Sequence, residues 1–343
     1  MGVVAALAGG LLGSRPTPRS QAGTPSELET FDFVSARRAL KIDFGREQDI
    51  RSYDGVRIRC LVSGEGPAML FIPGWMVPAE VWKHQITFFR DRYKVVAIEI
   101  RTNAAPGIVD SAESFSLESI AKDIHAVLTR LKLTQVVAVG WSLGVSDLGA
   151  YLSLYGSQHL AGLCFVDGNV AGTTASEANS LLTTLRSLKT SRKLWKDNIR
   201  PIYESMFRQQ GEPAFRKYII ERAFHVPPEA AYELFEASLL RDCRAALGRC
   251  NVPVLNVVNT GPGALNSNFS SNQEMTKILN ALRPGSAEEI DFTSPACGHA
   301  IFIDEKERFN SLVLGFMQKI PSHRLGTPEQ VRASPAFQCL AMP

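Results

Sequence analysis

From residue 56 onward the chain alternates short apolar runs with longer stretches of helical spacing. Val56-Arg-Ile-Arg-Cys-Leu-Val alternates apolar and polar positions after the turn Tyr53-Asp54-Gly55, which predicts an antiparallel strand. Ala68-Met-Leu-Phe-Ile, Lys94-Val-Val-Ala-Ile-Glu-Ile, Gln135-Val-Val-Ala-Val, Leu160-Ala-Gly-Leu-Cys-Phe-Val and Val252-Pro-Val-Leu-Asn-Val-Val are continuous instead. That is the pattern of strands covered on both faces. Glu288-Glu-Ile-Asp-Phe predicts one more strand. Helical spacing predicts a helix from Ala79 to Arg90, with Val81, Trp82, Ile86 and Phe89 on one side. Others run from an N-cap at Ser116 to Leu131, over Val145 to Leu154, and from Asp304 to Gln318.

Strands alternating with helices imply an α/β fold with a mostly parallel, doubly wound sheet. One segment breaks the alternation: residues 172–247 are helical in pattern with no strand, and read as a lid inserted into the core. The expected organisation is an extension over 1–28, a core over 29–171, the lid, a second core part over 248–320, and an irregular tail over 321–343.

Composition narrows the classes. Hydrophobic content of 45% and charged content of 21% are those of an ordinary globular chain. A net charge of +3, without a basic-aromatic stripe, argues against a nucleic-acid partner. Six cysteines lack C-x-x-C spacing, so no metal site or disulfide framework is expected, and Cys164 reads as a core residue. The apolar run Val3–Leu12 has the look of a signal-peptide centre, but no Lys or Arg precedes it. The expectation is a cytoplasmic protein. No run reaches the roughly 18 apolar residues a membrane span needs.

The chemistry is concentrated at Gly140-Trp141-Ser142-Leu143-Gly144, directly after the 135–139 strand. A G-x-S-x-G on a strand-to-helix turn is a nucleophile elbow, in which the serine hydroxyl stands exposed above the sheet. The turn is tight enough that side chains two positions either side of the serine would strike backbone. Serine is a weak nucleophile, so it needs a base in hydrogen-bond reach and an acceptor to orient that base. Of the six histidines, His84 and His125 fall on helices, His159 in a turn, His225 in the lid and His323 in the tail. His299, in the loop after the last strand, returns to the carboxyl edge of the sheet where ligands bind in open α/β folds.

Pro73-Gly74-Trp75, Gly140-Trp-Ser-Leu-Gly144 and Gly298-His299, in that order and between those strands, resemble the α/β-hydrolase superfamily. The likeness covers residues 50–320 and is nearest to serine esterases and members similar to non-haem peroxidases. It implies an esterase-like serine hydrolase with Ser142 as nucleophile and His299 as base, and without a cofactor. By the same resemblance the backbone N–H groups of Trp75 and Leu143 form the oxyanion hole, each donor being worth roughly 3 kcal/mol in the transition state. Trp75, Met76 and Trp141 are expected to line the substrate pocket.

The chain departs from the family pattern in two places. Pro73 stands where many members carry histidine before the glycine; a backbone donor survives that change. The loop after Val258, the usual place of the acid, reads Asn259-Thr-Gly-Pro-Gly with no carboxylate before Glu274. Asp167, at the end of the neighbouring strand, is the expected acid, against its simpler reading as a turn residue before Gly168. Glu99 and Asp291 are weaker candidates, and Glu99 is expected to pair with Arg101.

The expected substrate is an apolar carboxylic ester, lactone or thioester. A perhydrolase or lyase on the same triad, and a non-catalytic ligand-binding member of the fold, are the alternatives. In the lid, the run Arg186, Lys189, Arg192, Lys193, Lys196 and Arg200 reads either as a solvated face or as an attractor of an anionic substrate such as an acyl-CoA.

Overall fold

The computed structural model describes residues 31–101, 115–170, 175–208, 211–262, 276–278, 280–281 and 284–325. The extension over 1–28, the tail beyond 325 and the Glu274 loop lie outside them.

Eight strands form one sheet in the order β1-β2-β4-β3-β5-β6-β7-β8. They are β1 (Arg46–Arg51), β2 (Arg57–Ser63), β3 (Ala68–Ile72), β4 (Lys94–Ile98), β5 (Val136–Trp141), β6 (Leu160–Val166), β7 (Val254–Asn259) and β8 (Ala287–Phe292). β1 and β2 pair antiparallel, β2 joins β4 antiparallel, and every later pair is parallel. The continuous apolar runs became the central strands: every residue of β3, β5, β6 and β7 is buried. A parallel sheet covered on both faces accepts only such sequences. Cys164 is fully buried in β6.

The helices are α1 (Phe33–Ala39), α2 (Lys83–Phe89), α3 (Leu117–Arg130) and α4 (Leu143–Tyr155), then α5 (Ala175–Leu188), α6 (Arg192–Ser205), α7 (Pro213–Ala223), α8 (Pro228–Leu240) and α9 (Arg244–Gly248), and finally α10 (Ile301–Asp304) and α11 (Lys306–Lys319). Ser116 caps α3 by accepting from the Ser119 amide at 3.1 Å, as its position before the apolar period suggests. Two expected helices start differently. The 79–90 stretch opens as a 3-10 turn (Ala79–Trp82) before α2, and the closing helix is split at Glu305 into α10 and α11. Among the described residues, β6 and β7 are joined by α5 to α9 alone. No described helix is long and apolar enough to cross a membrane.

β1 and α1 have no counterpart in the apolar pattern. β1 reads Arg-Glu-Gln-Asp-Ile-Arg and buries only Ile50, because it is a sheet edge. The 3-10 turn carries a buried carboxylate, Glu80, which accepts from Arg37 (2.9 Å), Arg59 (2.7 Å) and the Tyr218 hydroxyl (3.2 Å). Glu99 accepts from Arg59 at 3.0 Å and Arg222 at 2.5 Å, not from Arg101. Arg101 points the other way, to Asp54 and Asp123. The expected Glu99–Arg101 pair is therefore corrected: past the end of β4 each side chain finds a partner on a different neighbouring element, Glu99 on β2 and α7, Arg101 on the turn before β2 and on α3.

Asp147, on α4, has both carboxylate oxygens buried and without hydrogen-bond partners. Burial, and then the negative charge of Asp123, raise its pKa well above the ordinary carboxylate range. The folded state thus binds this proton more tightly than the unfolded chain does. Stability from this group is present at acid pH and lost as pH rises above the unfolded value. Asp147→Ala is expected to raise stability at neutral pH by about 1–3 kcal/mol, the desolvation cost of an unpaired polar group. It should also flatten the loss of stability between acid and neutral pH. Urea unfolding of both proteins at pH 5 and pH 8 checks this; a destabilised variant with an unchanged pH slope would refute it.

Candidate active site

The site lies at the carboxyl ends of β5, β6 and β7. β5 ends at Trp141, and Ser142 follows with φ 56° and ψ −119° before α4 begins at Leu143. A serine at positive φ is strained. Its amide donates to the Val166 carbonyl of β6 at 2.9 Å, which ties the turn to the sheet. The glycines flanking it meet the steric demand expected of them. A Cβ on Gly140 would lie 2.5 Å from the Gly144 carbonyl oxygen, and one on Gly144 would lie 2.6 Å from that of Ile72.

Asp167 follows β6 at φ 45° and is buried. Its Oδ2 lies 2.6 Å from His299 Nδ1, and its Oδ1 accepts the Asn259 amide at 3.3 Å. A carboxylate at Nδ1 makes that nitrogen the protonated one and leaves Nε2 with its lone pair. Nε2 is buried and has no hydrogen-bond partner. Ser142 is 9% exposed and His299 0%, so the pair sits beneath a nearly closed surface.

The His299 loop is held from several sides. Asn259 Nδ2 donates to the carbonyls of Cys297 (3.0 Å) and Gly298 (2.9 Å). Trp141 Nε1 donates to the His299 carbonyl at 3.0 Å. Asp304 accepts the amides of Gly298 (2.8 Å) and Arg208 (3.0 Å), and the Met206 carbonyl accepts the Ala300 amide at 3.0 Å. In the sequence Asn259 stands only as the place where an acid is missing. Its place at the end of β7, where a carboxylate was expected, was the available signal that it serves the histidine loop.

The other expected residues fall as follows. Trp75 and Met76 are buried in the turn after β3, which Val77 closes by donating to the Gly74 carbonyl at 3.2 Å. Among the described residues neither the Trp75 nor the Leu143 amide has an acceptor; for Leu143 this is the ordinary state of the first residue of a helix. Trp141 is buried with its indole 5.0 Å from Phe302 and 5.2 Å from the His299 ring. Glu99 is spent on Arg59 and Arg222, and Asp291 on the amide and hydroxyl of Thr260. Neither reaches His299. Of the other histidines, His84 pairs with Glu212 at 3.1 Å and His125 stacks on Tyr155 at 4.0 Å.

The basic run of α5 and α6 is largely answered by carboxylates. Arg186 meets Glu236, Lys189 meets Glu229, Lys193 meets Asp197, and Lys196 and Arg200 share Glu221. That leaves little unbalanced charge to draw an anion.

Residues 69–312 match the family model described as "Alpha/beta hydrolase family", and the chain belongs to that family. A putative non-heme chloroperoxidase from Synechocystis sp. is 26% identical over 98 residues, 28% of this chain and 35% of that protein. The chain thus matches about a third of that relative's length. A pimeloyl-[acyl-carrier protein] methyl ester esterase from Vibrio atlanticus is 25% identical over 270 residues, 75% of this chain and 97% of the other. Among solved structures, an esterase from Rhodococcus sp. ECU1013 superposes with a TM-score of 0.68 at 18% identity, covering 80% of this chain and 99% of that one.

Proposed function

We propose that this α/β hydrolase is a serine hydrolase that cleaves a carboxylic ester, lactone or thioester of an apolar substrate through an acyl-enzyme. The observation that carries the reading is the buried Asp167–His299 pair at 2.6 Å, which leaves the buried Nε2 without a partner. In this reading Ser142 Oγ attacks the carbonyl carbon and His299 Nε2 takes its proton. Asp167 keeps the proton on Nδ1 and stabilises the imidazolium that forms. The amides of Trp75 and Leu143 receive the developing oxyanion, each contributing about 3 kcal/mol. His299 then protonates the leaving alkoxide or thiolate, and water, activated by the same base, releases the acid and restores Ser142. The helices α5 to α9 act as the lid, and Trp75, Met76 and Trp141 border the acyl pocket.

A fluorophosphonate probe is expected to label Ser142 and no other serine in the folded protein, read by mass spectrometry of the digest. The same preparation should hydrolyse members of a p-nitrophenyl ester series, and Ser142→Ala should abolish both. A folded wild type that is neither labelled nor active would leave a non-catalytic member of the fold. The relative called a chloroperoxidase favours a second reading, perhydrolysis, in which hydrogen peroxide replaces water on the acyl-enzyme. Peracid formed from a short-chain acid and peroxide, absent in Ser142→Ala, distinguishes it.

A further inference from the structure

Trp75 is held by the helices between β6 and β7 at more points than packing alone requires. Its indole N–H donates to the Ala231 carbonyl of α8 at 2.7 Å, and its ring lies 4.6 Å from Phe235 and 5.7 Å from Trp195. Its carbonyl oxygen accepts the hydroxyl of Tyr203, a fully buried residue of α6. Burial raises the Tyr203 phenol well above its ordinary pKa, so it remains a donor at any working pH.

The carbonyl that Tyr203 holds belongs to the central peptide of the Gly74–Val77 turn. Met76, at the third position of that turn, has φ 60°. Positive φ there is the type II arrangement, which selects glycine, whereas methionine prefers type I. The two types differ by a flip of the central peptide, that is, by ψ of the second residue and φ of the third. The second residue is Trp75, whose own amide is the oxyanion donor in the reading above. Methionine alone therefore biases the turn the wrong way, and the bond from α6 opposes that bias.

We propose that Tyr203 is a positioning residue: by holding the Trp75 carbonyl it keeps the 74–77 turn in its type II form and anchors, at its carbonyl end, the residue whose amide on the preceding peptide is offered to the oxyanion. This rests on the serine-hydrolase reading. It makes the docking of α6 onto the core a condition for catalysis and not only for substrate enclosure. The second tie of the same segment, Met206 carbonyl to Ala300 amide at 3.0 Å, places the His299 loop under the same control.

Tyr203→Phe removes one hydroxyl and leaves the ring contacts with Trp75 and Phe224 in place. In the full-length protein it is expected to lower kcat on a hydrolysed p-nitrophenyl ester by roughly 10- to 100-fold, the cost of a displaced catalytic group. The rate constant of fluorophosphonate capture should fall in parallel, with KM changed less than about twofold. The decisive comparison adds Met76→Gly or Met76→Ala to Tyr203→Phe, with each single variant as reference. Both delete the same side chain, but only glycine relieves the positive φ. The proposal expects glycine to restore kcat and alanine not to. Unchanged kcat in Tyr203→Phe, or equal recovery or none with the two second substitutions, overturns it. A wild type that neither hydrolyses esters nor captures the probe overturns the hydrolase reading, and this inference with it.

Discussion

Asp167→Asn is expected to lower kcat on a p-nitrophenyl ester by about 10⁴-fold, with circular dichroism and the unfolding midpoint close to wild type. The amide keeps the shape of the carboxylate and can still meet the Asn259 N–H through its oxygen. It cannot stabilise an imidazolium, and its NH₂ group facing Nδ1 would favour the wrong tautomer, with the proton on Nε2. Ser142 would then have no base. Restoring a carboxylate at the usual position of the family should not rescue this variant. Asn259 Nδ2 donates to the carbonyls of Cys297 and Gly298, so Asn259→Asp would set a carboxylate against two carbonyl oxygens and loosen the His299 loop. Activity of Asp167→Asn within about tenfold of wild type would reduce Asp167 to a turn residue; activity regained by Asn259→Asp would mean that the loop re-forms around an acid on β7.

Glu80→Ala is expected to cost about 3–5 kcal/mol of stability, the usual penalty for removing one partner of a buried ion pair. Burial works against the ionised Glu80, but Arg59, Arg222 and Arg37 together offset it and hold the carboxyl below its ordinary value. The sign follows: the stability it contributes is present above the unfolded glutamate pKa of 4.5 and is lost as pH falls through the lower folded value. Removing Glu80 leaves three guanidinium groups, Arg37, Arg59 and Arg222, sharing two carboxylates, Glu47 and Glu99, and takes the acceptor from the Tyr218 hydroxyl. Because Tyr218 lies on α7 and Arg59 on β2, the loss falls on the junction of the helical segment with the core. Denaturant unfolding at pH 7 should show the full deficit; a loss under about 1 kcal/mol would place this network among the ion pairs that contribute little.

The sheet and the serine turn were legible because they are dictated locally. β3, β5, β6 and β7 need uninterrupted apolar runs, and the turn at Ser142 needs its two glycines. The meeting of His299 with Asp167 is legible because Asp167 directly follows β6 and the loop that carries His299 follows β8, and topology brings both to one edge of the sheet. What could not be read were long-range pairings between residues of ordinary appearance. Glu99 takes Arg59 and Arg222 in place of Arg101, a choice made by tertiary packing across 40 and 123 positions of sequence. Asn259 appeared only as a gap in a pattern. Tyr203 was one aromatic among many in a helical stretch, and nothing in its neighbours announces a carbonyl on β3's turn. The edge strand β1 was missed because edge strands need not be apolar.

The ties of α6 bear on how this architecture can be recombined. In the reading proposed above the helices between β6 and β7 cover the site, and exchanging them as a cassette is the direct way to alter substrate range. Here the cassette carries structural duties for the chassis: Tyr203 serves the Trp75 carbonyl, and the segment from Met206 to Arg208 anchors the loop of His299. A chimera cut at the ends of β6 and β7 inherits a foreign α6 and loses both attachments. One that keeps Trp195 to Arg208 from this chain and exchanges α5 or α7 retains them. Exchange is therefore expected to be tolerated in the flanking helices and not in α6, which is bound to the core as one piece with it.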